Sequence, residues 1–272
     1  MTLSFIAAAH ESMLPRTFLA SIMLLASWET AWALDYTDLW YVPAESGWGA
    51  NVVQSGNFMF VSFFIYGQDK KPTWYTAQLT NNQQGAFTGA LFATTGTYYG
   101  TTWNPPDVTV TQVGTASFQP TTAYTAKLTY AVTSAPAAVV VKNVQRQTLT
   151  AIDLTGTYFG GQSGAYSGCS SPSDNGPYTD AFNLQVTQMP NGNVTFQFGY
   201  LSGLSCTLSG ALVQYGQIYS VSAANYSCSD GLVTTANISE VRATPLGIEG
   251  RLSAASVGGA CREDATFGGT AH

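Results

Sequence analysis

The sequence predicts an all-β protein: two consecutive small antiparallel β-barrel or sandwich domains behind an export signal. Three observations point there. Apolar and polar residues alternate in short runs, the period of a strand with one buried face. Turn signals interrupt those runs roughly every 8–15 residues. Charged residues make up only 9% of the chain, where a globular domain usually carries about a quarter. Gly, Ser, Thr, Asn, Gln and Tyr replace them, a composition that suits a neutral polar sheet surface.

The N-terminus reads as a signal peptide over residues 1–33. Arg16 supplies a thin positive region, Phe18 to Ala26 an apolar run, and Ala31-Trp32-Ala33 a small-residue cleavage site before Leu34. A start at Met13 fits this pattern better than a start at Met1. The run is shorter than the ~20 apolar residues that span a bilayer, and no later segment is a candidate inner-membrane span. Past Ala33 the chain keeps eight basic and thirteen acidic residues, and its longest basic run is Lys70-Lys71. Nucleic acid demands many phosphate-neutralising side chains, so it is excluded as the main partner. The expected compartment is the periplasm or the extracellular space.

The first domain is expected over residues 34–150. Phe58 to Tyr66 is a near-continuous apolar run, read as a central strand buried on both faces. Gly67 to Pro72 turns the chain into Thr73–Thr80, and Asn81 to Gly85 turns it into Phe87–Thr94. Ala126, Leu128, Tyr130 and Val132 alternate in a later strand. All four tryptophans past the export signal (Trp40, Trp48, Trp74 and Trp103) lie in this half.

The second domain is expected over residues 151–272, with the boundary between Gln147 and Thr155. Val194, Phe196 and Phe198 mark one strand by alternation. All four cysteines lie here: Cys169, Cys206, Cys228 and Cys261. An even count behind an export signal argues for two disulfides. Cys206 and Cys228 flank a strand–turn–strand pattern centred near Gly216, which would pair them and leave Cys169 with Cys261. Pairing 169–206 with 228–261 stays open beside it. The two halves also share faint matches. Leu39-Trp40-Tyr41 matches Thr157-Tyr158-Phe159, and Thr88-Gly89-Ala90-Leu91-Phe92 matches Ser209-Gly210-Ala211-Leu212-Val213. Similar offsets suit two barrels of one plan.

The most specific motif is Trp40-Tyr41-Val42-Pro43-Ala44-Glu45-Ser46-Gly47-Trp48-Gly49. With Phe60, Phe63 to Tyr66 and Pro72-Thr73-Trp74-Tyr75, it resembles an uncharacterised domain of many secreted bacterial proteins, sometimes found at the end of secreted proteases. The resemblance covers about residues 35–115. It departs at Val42, where Asn is common, and at Gln68, near the usual Asp. It implies an architecture and an exported compartment, and no mechanism. The Cys-containing second half resembles a companion domain. Leu154 to Tyr158 also resembles the opening strand of avidin-like and other calycin barrels, where an aromatic plugs the base.

Gly47 and Gly49 free the backbone on either side of Trp48. That turns the indole either out to a ligand or under the barrel as a plug. Glu45 is either a ligand contact or a fastener of its loop. Trp40, Trp74, Tyr75 and Trp103 complete the candidate ligand-binding set and, with Tyr98 and Tyr99, form either a stacking face for sugars or core; Trp103 is expected to be exposed. No cofactor and no metal site is expected. His272 is the one histidine past the export signal, which removes Ser–His–Asp and Cys–His catalysis. The leading expectation is a non-catalytic secreted binding protein for a glycan or small amphipathic ligand. The alternatives are a carboxylate glycosidase using Glu45 with Asp38, Asp69 or Asp107, and a β-barrel that inhibits a secreted protease or binds another protein partner.

Overall fold

The computed structural model describes residues 34–133, 137–255 and 261–272; the expected export signal lies outside them. Two closed eight-stranded antiparallel barrels follow one another. The first comprises β1 (Asp38–Tyr41), β2 (Gly49–Ser55), β3 (Phe58–Tyr66), β4 (Pro72–Asn81), β5 (Phe87–Thr95), β6 (Thr109–Pro120), β7 (Thr125–Val132) and β8 (Ala138–Arg146). The second comprises β9 (Gly156–Ser167), β10 (Gly176–Gln188), β11 (Asn193–Tyr200), β12 (Ser205–Tyr215), β13 (Ile218–Cys228), β14 (Val233–Thr244), β15 (Gly247–Ala255) and β16 (Arg262–Ala271). Each is a simple meander, closed by β1 on β8 and by β9 on β16. The first closure uses two register pairs, Trp40–Arg146 and Tyr41–Gln145, and the second uses ten.

Alternation sets what fills each barrel. In β3, Met59, Val61, Phe63 and Ile65 point inward and are buried, while Phe58, Phe64 and Tyr66 are exposed. The expectation of a strand buried on both faces is therefore corrected. A closed barrel has one interior, and among the described residues no second layer covers the outer face of β3. The first core holds Trp40, Phe63, Phe118, Met59, Leu79, Leu91 and Leu128, all fully buried. The second holds Phe182, Phe196, Phe198, Leu154 and Leu184 in the same condition.

The base of each barrel is closed by its opening strand and the segment before it. The Trp40 indole N–H donates to the Tyr36 carbonyl at 2.9 Å, and Trp40 stacks edge-on against Phe118. The Tyr158 hydroxyl donates to the Leu154 carbonyl at 2.9 Å. Each aromatic thus fastens the chain four residues upstream, and the faint match at these positions reflects a shared job. The other match does not. Thr88–Phe92 lies in the fifth strand of its barrel and Ser209–Val213 in the fourth strand of the other.

The two bases meet. Tyr124, in the β6–β7 turn, stacks on Tyr215 with ring centroids 4.4 Å apart, and its hydroxyl accepts the Glu240 backbone N–H at 3.2 Å. Gly216, at φ +63°, brings the β12–β13 turn against Asp38 and Arg146, where a β-carbon would have no room. Arg242 reaches Asp35 at 3.6 Å. The mouth of each barrel lies at the end away from this contact.

Disulfides join Cys169 to Cys261 and Cys206 to Cys228. The second pair face each other directly across β12 and β13, as the hairpin reading required.

Candidate functional site

The mouth of the first barrel is built by the β1–β2, β3–β4 and β5–β6 connections and the adjoining ends of β7 and β8. The motif loop lies in the first of these. It is held by its own backbone: Glu45 N–H donates to Val42 at 2.9 Å and Trp48 N–H to Glu45 at 3.2 Å. Glu45 is ion-paired with Lys142 at 2.5 Å. Lys142 sits in the inward phase of β8, with Val140 and Val144. Its ammonium lies 5.8 Å from the Trp48 ring centroid, and the Trp48 indole N–H donates to the Tyr130 hydroxyl at 3.4 Å. Trp48 packs on the core. Gly47, at φ +87°, lies under the Tyr66 phenol, so a β-carbon there would meet its hydroxyl. The loop is a fastened plug made from a carboxylate, an inward lysine and an indole.

Outside that plug the rim is aromatic. The β5–β6 connection exposes Tyr98, Tyr99 (94% exposed) and Trp103 (65% exposed). It is internally braced: the Asp107 carboxylate accepts from the Thr97 hydroxyl at 3.0 Å and the Asn104 amide at 2.8 Å. Tyr98 and Tyr99 have ring centroids 4.6 Å apart. Phe64 and Trp74 are cross-strand partners on the outer faces of β3 and β4, at the same end, and both are more than half exposed.

The sequence-derived ligand set therefore divides. Trp74 and Trp103 are presented to solvent. Glu45 and Trp48 lie at the mouth but are engaged in the plug. Tyr75 points inward and packs on the core. Trp40 is fully buried at the opposite end, out of reach of a ligand at the mouth. Arg146 lies over it at 5.0 Å. That guanidinium pairs with Asp38 at 3.1 Å and donates to the carbonyls of Asp35, Thr37 and Ala123. Burial holds the Arg146 pKa below its usual value, against the pull of Asp38. Of the carboxylates considered for glycoside hydrolysis, Asp38 is thus a base anchor, Asp107 braces its own loop, and Asp69 accepts the Lys71 backbone N–H at 3.0 Å.

The mouth of the second barrel carries a polar constellation that sequence reading missed. Glu263, in β16, is buried and points inward between β9 and β15. Its Oε1 accepts from the Gln162 amide at 2.8 Å and from the Tyr178 hydroxyl. The Tyr200 hydroxyl donates to Gln162 Oε1 at 2.7 Å. Tyr226 stands beside Tyr200, and Tyr166 stacks on Tyr178 at 4.7 Å. Burial raises the Glu263 pKa, with hydrogen bonds from Tyr178 and Gln162 opposing it. Burial also raises the phenols, Tyr166 to about 12, with Glu263, Asp230 and Asp180 adding to the rise. The signal was present in the strand phase. Glu263 shares the inward parity of Ala265 and Phe267, a charge where alternation calls for an apolar residue.

No family model matches the chain, and no curated protein matches it. Solved structures give distant likenesses. A candidate outer membrane protein of Bacteroides fragilis NCTC 9343 is 11% identical, with 81% of this chain and 93% of that one covered and a TM-score of 0.34. A Trp-to-Ala mutant of the vaccine antigen transferrin binding protein B from Haemophilus parasuis Hp5 is 10% identical at a TM-score of 0.35. That match takes in 84% of this chain and 61% of the antigen. At these values nothing about this chain's activity follows from either.

Proposed function

We propose that this chain is an exported, non-catalytic binding protein that holds a glycan or small amphipathic ligand on the aromatic rim of its first barrel. One observation carries the reading: Tyr98, Tyr99 and Trp103 project from a connection whose polar side chains are spent on bracing it. Rings held out on a braced scaffold suit the apolar faces of sugars, and stacking on a rim needs no internal cavity. Trp74 extends the surface along the outer face. Two disulfides support an oxidising compartment outside the cytoplasm. Titrating the protein with glycans, fatty acids and peptidoglycan fragments under tryptophan fluorescence tests this. A saturable change is expected, lost in Trp103→Phe and weakened in Tyr99→Ala. A folded protein that responds to none of them ends the reading.

A second reading has its own support. The first barrel is filled with side chains, and its outer face leaves Val53, Phe58, Phe64, Tyr66 and Trp74 uncovered. A protein partner, such as a secreted protease, uses a convex apolar face of this kind. This reading expects no small-ligand response and a complex with a purified protease that Trp74→Ala with Phe64→Ala abolishes.

A further inference from the structure

Glu263 poses a problem of charge. Burying a carboxylate is costly unless it is paired. Among the described residues no lysine or arginine pairs with it. Arg262, its chain neighbour, is turned outward onto Asp264 at 2.6 Å. The groups that do touch Glu263, Gln162 and Tyr178, are neutral, and both bond to Oε1. The remaining charges that act on the surrounding phenols are negative: Asp180 and Asp230. Asp180 accepts from the Ser202 hydroxyl at 2.5 Å, which adds no positive charge. The mouth of the second barrel thus combines a recessed carboxylate, a negative surround and four tyrosine rings.

That combination has a chemical complement. An alkylammonium or guanidinium group supplies the missing positive charge and N–H donors for a carboxylate oxygen. Tyrosine rings attract such cations through their faces. Tyr166 is the register partner of Glu263 and Tyr178 donates to it; the two rings are stacked and partly open to solvent. We propose that the mouth of the second barrel is a binding site for an organic cation, with Glu263 as its counter-charge and Tyr166 and Tyr178 as its walls. The cation is either a free amine or guanidine or the basic side chain of a protein partner, since the recognising chemistry is the same. This site is separate from the rim of the first barrel and does not depend on it.

Calorimetric titration of the full folded protein with butylammonium and butylguanidinium at low salt tests the proposal. Butanol serves as the neutral control, and a peptide with one lysine and both ends capped serves as the protein-borne arm. Saturable binding of at least one cationic probe and none of butanol is expected. Binding by the small cations points to a free ligand, and binding by the peptide alone to a protein source. Glu263→Gln keeps acceptor and shape for Gln162 and Tyr178 and should weaken binding at least about tenfold, the loss of a charge-assisted contact. Tyr166→Ala should weaken it less. Trp103→Ala should leave it unchanged, which separates this site from the rim. Near-ultraviolet circular dichroism establishes that each variant is folded. The proposal is overturned if no cationic probe binds the folded protein, if folded Glu263→Gln binds as well as the parent, or if calcium or sodium displaces the probe as readily as a second amine.

Discussion

The two barrels share one strand plan and solve its two ends in opposite ways. At the base, the first barrel pairs Trp40 with Arg146 across β1 and β8. In the second barrel, Ala271 takes that register position beside Tyr158. The first base is therefore an ion-paired, cation–π assembly, and the second is apolar packing fastened by neutral hydrogen bonds: the Tyr158 hydroxyl to the Leu154 carbonyl, the Leu154 N–H to Gln188 and the Ile152 N–H to the Tyr219 hydroxyl. At the mouth the order reverses. The first is shut by a self-contained Glu45–Lys142 pair under Trp48. The second keeps a carboxylate without a basic partner among the described residues and is tied by two disulfides. Closure of an eight-stranded meander fixes the middle of a barrel. It leaves the ends free to diverge, and the ends carry the chemistry.

The comparison breaks first if the disulfides do not belong to one barrel alone. Cys169–Cys261 spans 92 residues and Cys206–Cys228 spans 22. Chain-entropy reasoning then assigns about 4.6 and 3.4 kcal/mol to them. Cys169→Ser with Cys261→Ser should lower the second barrel's stability by about that larger amount in urea, read by near-ultraviolet dichroism. Tryptophan fluorescence, which reports only the first barrel among the described residues, should keep its midpoint. A common shift of both probes would mean that the barrels unfold as one unit.

Arg146→Ala should have the converse effect, about 3–5 kcal/mol on the first barrel. It strands Asp38, whose side chain is only 6% exposed, without its partner. It also removes the donors to three carbonyls. Adding Asp38→Asn should recover part of the loss, because the orphaned charge goes with it. Urea midpoints by tryptophan fluorescence measure both. Equal stability of the single and double variants would show that the lost packing on Trp40, and not the charge, sets the cost.

Much of this was legible in the sequence. The meander, the two halves and the exposure of Trp103 follow from local rules of alternation and turn residues; hairpin geometry points to Cys206 with Cys228 but leaves a second pairing open, which the structure closes. Sequence alone leaves Trp40 and Tyr75 open between core and binding face, because ring chemistry suits both equally. Only strand phase decides, and in β1, with four residues, there is little phase to read. Arg146, Lys142 and Glu263 were passed over for a related reason. Each is a charge at an inward position, and its partners are distant in sequence: 108 residues for Arg146–Asp38, 97 for Lys142–Glu45 and 101 for Gln162–Glu263. Alternation marks such residues as exceptions, and only barrel closure names what they meet.

The pH response should sharpen the contrast between the mouths. Burial lifts the folded-state pKa of Glu263 above its unfolded value, near ~4.3. Over that window the unfolded chain binds fewer protons than the folded one, so stability falls as pH rises. Glu263→Gln removes this slope. The difference in melting temperature, variant minus parent, should therefore grow in the variant's favour from pH 4 to pH 7. It should appear in the second barrel's dichroism and leave the first barrel's fluorescence transition unmoved. A difference that stays constant across that range would mean the carboxyl does not change its protonation on folding.

The smallest effect tests whether the barrels are coupled at all. Tyr124 and Tyr215 stack nearly face to face across the junction of the bases, with planes 18° apart. Each comes from a different barrel, so the pair contributes to neither core. A stacked aromatic pair is worth about 0.5–1.5 kcal/mol beyond its buried area. Tyr124→Ala, Tyr215→Ala and the double variant form a cycle whose interaction energy isolates that contact. If the barrels unfold independently, the coupling should appear in the transition of whichever barrel unfolds first and vanish from the other, which by then has lost its neighbour. If they unfold together, it should appear once, in a single transition. The same three variants thus measure the contact and identify the cooperative unit, and a coupling of zero in both transitions would leave the Tyr124–Glu240 hydrogen bond, the Arg242–Asp35 pair and the Gly216 turn against Asp38 to hold the junction.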